Sequence, residues 1–175
     1  MIDQQKARRQ YQNAVNNAQG QAFEGYIKAA CEIYKAKARA AVDKTPEPFK
    51  VTSKHGGGVF TGRFTALAMP DFQGTLHGGR SICFEAKYTT TDRLKRDVLT
   101  TAQMEALTLH AEFGAIAGVC AGIGDKFYFV PFDVWRDMKQ HFGRQYVKAE
   151  DIEPYRVRFT GAVMFLDYVK GGGSL

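Results

Sequence analysis

The residues best suited to chemistry in this chain are Pro70-Asp71 and, fourteen positions beyond Asp71, Glu85-Ala86-Lys87. In a strand, residues i and i+2 share a face, so Glu85 and Lys87 point the same way. Asp71, across a hairpin, reaches the same spot. Two carboxylates and an ammonium converging on one point suit a divalent cation and an activated water. Carboxylates are hard oxygen ligands of the kind Mg²⁺ takes, and the Ala86 carbonyl offers one more oxygen. A bound cation lowers the pKa of its water and offsets charge building on a phosphate. Lys87 is placed to orient that water or to stabilise the charge.

An acidic residue two positions before a lysine is not rare. The chain has a second case, Asp137-Met138-Lys139. That one falls in a helical pattern, where i and i+2 face apart, and reads as solvated surface. The first follows a Pro-Asp turn and an apolar run, Ile82-Cys83-Phe84. By residue types alone it suits either a catalytic site or a half-exposed ion pair at a strand edge.

The elements that must position these residues are legible in outline. Residues 5–42 lack proline and are rich in Ala, Gln, Lys and Arg. They predict one long helix, with a possible break at Gly20. Phe23, Ile27, Ala30, Tyr34 and Ala38 form its apolar stripe, and Glu24 adjoins that stripe. Thr45-Pro46-Glu47-Pro48 ends it. Residues 49–54 and 59–67 alternate as two strands around the Gly56-Gly57-Gly58 turn. Residues 70–74 form a turn or the start of a strand. His77-Gly78-Gly79 is a second turn before a strand at 80–87. Residues 89–97 read as a polar surface loop. Thr100 or Thr101 caps a helix over 102–112 that turns Met104, Leu107 and Ala111 inward and stops at Gly114. Strands at 115–121 and 126–131 follow, then an amphipathic helix over 133–142 capped by Asp133, a last strand at 163–169 and a frayed tail at 171–175. The pattern is a single α/β domain with a mixed sheet.

Composition narrows the function classes. A hydrophobic fraction of 45% and a charged fraction of 24% belong to a folded chain and exclude a disordered one. The net charge of +6 is unevenly spread: residues 1–97 hold 16 Lys and Arg against 9 Asp and Glu, and residues 98–175 hold 8 against 9. The basic excess therefore lies in the stretch that carries Asp71, Glu85 and Lys87, which fits a polyanionic partner. Cys31, Cys83 and Cys120 are far apart, odd in number and in apolar contexts, so they read as buried free thiols rather than as a disulfide frame or a zinc site. The first nine residues have no apolar core for a signal peptide, and the apolar run 113–124 is too short to span a bilayer. The expected location is the cytoplasm, away from membranes.

A series of motifs in one order resembles the RecU-type Holliday junction resolvases of the PD-(D/E)xK nuclease superfamily. Gly20-Gln-Ala-Phe23-Glu24 is similar to the opening helix of that family, with its metal-site Glu. Lys44-Thr-Pro46-Glu-Pro48 resembles its Lys-Pro-Thr-Pro segment. Asp71-Phe-Gln-Gly74 resembles Asp-Tyr-Asn-Gly, and Phe84-Glu-Ala-Lys87 matches Phe-Glu-Ala-Lys. Gln103 falls at the family's helix Gln. The run 114–118 followed by 127–131 resembles its two core strands, and Leu166-Asp167-Tyr168 its closing Asp-Tyr-Leu. There are two departures. Ala18-Gln19-Gly20 stands where the family has Asn-Arg-Gly, and the segment 49–70, where the family inserts a projecting two-stranded stalk, is shorter and carries three glycines. Such short elements suit a phage or prophage member.

The resemblance implies a restriction-endonuclease-like fold, a mixed sheet flanked by helices with a projecting stalk, and a metal-dependent phosphodiesterase. Asp71, Glu85 and the Ala86 carbonyl are then expected to bind Mg²⁺, with Mn²⁺ able to substitute and Glu24 completing the site. Lys87 positions the attacking water, and Gln103 lies behind the ligands or faces substrate. The expected substrate is a four-way junction, nicked in pairs by a homodimer to leave 5′-phosphate ends, in recombination and repair. A two-fold dimer fits a substrate of approximate two-fold symmetry. The sequence specifies no recombinase partner. Lys50, Lys54 and Arg63 in the stalk, and Arg93, Lys95 and Arg96 after the active strand, are the candidate DNA contacts. Their other reading is a protected strand edge and a solvated loop. Phe60 and Phe64 stack on bases or pack on protein. Residues 1–15, with Lys6, Arg8 and Arg9, suit a mobile basic arm. His55 and His77 sit in glycine-rich turns without an assigned role, and Trp135 is core. The competing functions are a less selective nuclease of the same superfamily and a non-catalytic DNA-binding modulator of recombination.

Overall fold

The computed structural model describes residues 2–46, 49–64 and 69–169. The chain begins with one helix, α1 (Ile2–Ala36), which runs through Gly20 without interruption. Residues 2–15 are the first part of α1. Among the side chains described, the buried stripe runs through Phe23, Ile27, Ala30, Cys31 and Tyr34. The preceding 21 residues (2–22) would extend about 30 Å along the helix axis.

The helix stops six residues earlier than its composition predicts. Ala38 adopts a left-handed φ of 52°, and the Arg39 N–H closes on the Tyr34 carbonyl at 2.9 Å. Residues Ala40–Lys44 are instead strand β1, with Ala40 and Val42 buried and Ala41 and Asp43 exposed. That period-2 alternation, seated against a neighbouring strand, overrides a local preference for helix.

A hairpin follows, β2 (Phe49–Lys54) and β3 (Phe60–Phe64), turned by Gly56–Gly58. It forms its own two-stranded sheet, with a register shift between Val51 and Ser53. This matches the expected stalk in place and kind, and the continuation to Leu67 lies outside the described residues. Next come β4 (Phe72–Leu76), β5 (Ser81–Thr89), β6 (Arg93–Lys95), α2 (Thr101–Glu112), β7 (Ile116–Ile123) and β8 (Lys126–Pro131). The chain closes with α3 (Phe132–Arg136), α4 (Met138–Phe142), β9 (Tyr146–Lys148) and β10 (Arg156–Val157).

The main sheet has six strands in the order β1-β4-β5-β7-β8-β10. Only β5 and β7 pair in parallel, with α2 as the crossover between them. The sheet separates two cores. On one face α1 covers Phe72, Phe84, Phe129 and Phe165. On the other, α2 and α3 cover Cys83, Val119, Val130 and Trp135. Strand β5 is central, so both its faces are buried, and it reads as a near-continuous apolar run. All three cysteines are buried and free.

Four expectations are corrected. The 89–97 segment contains β6, which pairs with β9; its only buried residue is Leu94. The helix expected over 133–142 is two short helices divided at Asp137, where ψ is 27°, and its cap position is Pro131 rather than Asp133. The 163–169 segment is a 3-10 turn, Phe165–Asp167, not a strand. Its Leu166 N–H is taken by the Tyr34 hydroxyl at 3.2 Å, so it seals the α1 core instead of extending the sheet. β9 and β10 have no expected counterpart, being three and two residues long. The 171–175 tail lies outside the described residues.

Gly74 fixes how closely β1 and β4 approach. It pairs with Val42, and a Cβ there would run into the Ala41 carbonyl and lie 2.6 Å from the Val42 Cα. Backbone on both sides leaves little room to yield, so Gly74→Ala is expected to cost about 3 kcal/mol. A urea midpoint within error of the wild type would contradict this.

Candidate active site

The β4–β5 hairpin brings the carboxylates together. Phe72 pairs with Phe84, which sets Asp71 opposite Glu85 at the point where β4 begins. Phe72 and Phe84 stack at 5.2 Å on the α1 face. Their neighbours Asp71 and Glu85 therefore turn to the α2 face, and Lys87 with them. One step further, the register would set Pro70 opposite Ala86. Proline has no N–H to offer the ladder, so the sheet lacks a donor for the Ala86 carbonyl there. The Ala86 N–H is instead taken by Asp71 Oδ2 at 3.0 Å.

Glu85 is fully buried, the one charged side chain in the described core. Its Oε2 accepts from Lys87 Nζ at 2.9 Å and from Gln103 Nε2 at 2.6 Å. Its Oε1 is buried and has no partner among the described residues. Lys87 Nζ lies 3.7 Å from Asp71 Oδ2 as well, so the ammonium bridges the two carboxylates. Burial pushes the Glu85 carboxyl up to about 7; Lys87 opposes this and the neighbouring Asp71 adds to it. A buried carboxylate held beside another, with one oxygen unused, is costly unless positive charge offsets it. The donor set fits magnesium, which takes one or two carboxylates and keeps waters and phosphate oxygens for the rest.

Glu24 does not join the cluster. It lies on α1, which packs on the opposite face of the sheet. Its carboxylate is paired with Lys44 at the end of β1. Among the described residues no three His, Cys, Asp or Glu side chains converge on one point. Lys44 is the residue that sequence reasoning left without a role. Its partner on β4 is Phe72, and the next residue, Thr45, donates its N–H to the Asp71 carbonyl at 2.9 Å. The signal was present in the alternation of Ala40, Val42 and Lys44, hidden by reading the stretch as helix.

Gln103 stands at the third position of α2, where the Thr100 capping box holds it. The basic candidates divide. Lys50 and Lys54 are exposed on the hairpin, whereas the Arg63 side chain lies outside the described residues. Arg93 pairs with Asp92 and covers Tyr146, its guanidinium 5.0 Å from the ring centre. Arg96 donates to the Arg136 carbonyl at 2.9 Å, closing the end of α3. Lys95 is exposed. Arg93 and Arg96 therefore have structural partners. His55 contacts Thr61 at 2.9 Å in the exposed hairpin, His77 is exposed in its turn, and Trp135 is fully buried.

The chain is an α/β domain whose mixed sheet carries two carboxylates and a lysine at one strand end. The chain belongs to the RecU family: the family model described as recombination protein U matches residues 18–171. That membership makes it a Holliday junction resolvase of the RecU type. The solved structure of Hjc from Archaeoglobus fulgidus, described as a Holliday junction resolvase from an archaeal hyperthermophile, is similar at 19% identity and a TM-score of 0.44. That match covers 73% of this chain and 89% of Hjc. No curated protein matches the sequence. Among the described residues no helix is long and apolar enough to cross a membrane.

Proposed function

We propose that this chain is a Mg²⁺-dependent endonuclease that resolves four-way DNA junctions in recombination and repair, working as a homodimer in the cytoplasm. The observation that carries the reading is the meeting of Asp71, Glu85 and Lys87 at the end of β5, with one buried Glu85 oxygen unpartnered, in a RecU-family chain. Asp71, Glu85 and the Ala86 carbonyl would hold the cation. When bound, it would acidify a water and neutralise charge on the scissile phosphate. Lys87 donates toward the attacking water and keeps positive charge beside the phosphate as negative charge builds. Gln103 steadies Glu85 from behind. Glu24, whose carboxylate pairs with Lys44, is the further proposed ligand from α1.

DNA contact is proposed for Lys50, Lys54 and Arg63 on the hairpin and for the exposed Lys95 on β6. Arg93 and Arg96 are the weaker candidates because each already has a partner. Each phosphate contact adds about 0.9 to the slope of log affinity against log salt. Lys50→Ala with Lys54→Ala is therefore expected to flatten that slope by about 2 and to weaken junction binding at low salt. An unchanged slope in fluorescence-anisotropy titrations would remove both lysines from the interface.

The direct test is a synthetic four-way junction incubated with Mg²⁺, beside linear duplex and single strands, with Glu85→Ala as control. Paired nicks bearing 5′-phosphates, on the junction alone and absent in the control, are expected. Equal cutting of all three substrates would point to a less selective nuclease. Tight junction binding with no cut in Mg²⁺ or Mn²⁺ would leave a non-catalytic modulator of recombination.

A further inference from the structure

Both donors that reach Glu85 end on the same oxygen. Lys87 Nζ and Gln103 Nε2 meet Oε2 at 2.9 and 2.6 Å, and Oε1 is left buried without a partner among the described residues. Which way the Gln103 amide faces therefore matters. Its nitrogen end donates to Glu85, while its oxygen end, turned the other way, would be repelled by a carboxylate.

The far end of that amide is held by the helix cap. The Thr100 backbone N–H donates to Gln103 Oε1 at 3.1 Å, and the Gln103 N–H donates back to the Thr100 hydroxyl at 3.3 Å. This is a capping box, which ordinarily only satisfies free N–H groups at a helix start. Here the Gln has a second task. With Oε1 committed to Thr100, Nε2 has one direction left, and that direction is Glu85.

We infer that Thr100 is a positioning residue for the metal site: its backbone N–H sets the sense of the Gln103 amide and thereby leaves Glu85 Oε1 as the oxygen presented to the cation. The inference rests on the cation site proposed above. It adds that the site is tuned from the first turn of α2, through a main-chain group that no side-chain survey would single out. The arrangement also accounts for a Gln, rather than the Glu a capping box accepts equally well, at position 103. A Glu there would close the same box but set a third carboxylate against Glu85.

The local geometry allows the N–H to be deleted by itself. Thr100 has φ −67°, already within proline's range, and Leu99 before it sits at φ −89° and ψ 126°, the extended geometry that proline imposes on its predecessor. Thr100→Pro removes the N–H and the hydroxyl, whereas Thr100→Ala removes the hydroxyl alone. Both variants lose the side-chain cap, so their urea midpoints should fall by similar amounts. Their difference isolates the bond to Gln103 Oε1.

The readout is Mn²⁺ affinity of the whole protein without DNA, followed by electron paramagnetic resonance. Groups behind metal ligands are worth about 10- to 100-fold in affinity. Thr100→Ala should stay within about twofold of the wild type, and Thr100→Pro and Gln103→Met should each bind about tenfold more weakly. The side-chain amide protons of Gln103 give a second, metal-free readout by NMR. They should stay protected from solvent exchange in Thr100→Ala and lose that protection in Thr100→Pro. Equal Mn²⁺ affinities for the Pro and Ala variants, in a protein that does bind Mn²⁺, would overturn the inference while leaving the cation site standing. So would unchanged amide protection in Thr100→Pro.

Discussion

Lys87→Ala is expected to slow junction cleavage by about 10³-fold while leaving junction affinity within about twofold of the wild type. Among the described residues the ammonium is the only cation that both carboxylates touch, at 2.9 Å from Glu85 and 3.7 Å from Asp71. In the proposed mechanism it keeps positive charge beside the phosphate. Its loss would remove the proposed donor to the attacking water, and it removes one of the two donors on Glu85 Oε2. The remaining Glu85 carboxylate, fully buried, then has less to hold its charge and takes up a proton more readily. Both consequences lower the chemical step. Neither touches the exposed Lys50 and Lys54 that are proposed to carry binding. Single-turnover cleavage with the junction saturated separates the two, and a variant that cuts at the wild-type rate would remove Lys87 from the chemistry. Lys87→Arg should recover little, because a planar, larger guanidinium does not fit a side chain only 18% exposed between two carboxylates.

How much of this was legible in the sequence follows from the range of each signal. Asp71, Glu85 and Lys87 were readable because a hairpin with a short turn fixes register locally: once 72 faces 84, Asp71 must oppose Glu85. Gln103 was readable as part of a helix start, but its contact with Glu85 spans 18 positions and depends on how α2 lies across the sheet. Glu24 was placed in the site by resemblance. In the structure α1 packs on the Phe84 face and Glu24 pairs with Lys44. No local pattern reveals on which face of a sheet a helix will settle. The 37–42 segment misled because Ala and Lys favour helix, while the alternation of β1 extends over only five residues. β6 and β9 were invisible for a related reason. Each is three residues long with a single buried side chain, Leu94 or Val147, and they find each other across some fifty positions. The stalk was recognised in kind because the Gly56–Gly58 turn and the flanking alternation are local. The two halves of the expected 133–142 helix part at Asp137, whose φ of −96° and ψ of 27° leave helical geometry.

Glu85→Gln is expected to abolish cleavage and, in the metal-free protein at pH 8, to raise stability. The sign follows from the direction in which burial moves the carboxyl. Glu85 titrates near 7 in the folded chain against 4.5 for a free side chain, so the native state holds its proton more tightly than the unfolded state. Stability from this group is fully present below about pH 4.5 and is lost as pH rises through about 7. The loss accrues at about 1.4 kcal/mol for each pH unit crossed between those two values, and reaches up to about 3 kcal/mol by pH 8. A neutral glutamine of the same shape does not carry that loss. The variant and the wild type should therefore have similar urea midpoints at pH 4.5 in a chelator, and the variant should pull ahead steadily to pH 8. The acidic partners of surface ion pairs, Asp92, Asp137 and Asp167, shift the opposite way and weaken both proteins alike on acidification, so they cancel in the difference. Adding Mg²⁺ should reverse the order at pH 8, because a cation that binds only the native wild type stabilises it by mass action and finds a poorer ligand in glutamine. A variant no more stable than the wild type in chelator at pH 8 would mean that the buried carboxylate is already compensated by Lys87 and Gln103. The case for a cation at this strand end would then lose its electrostatic support.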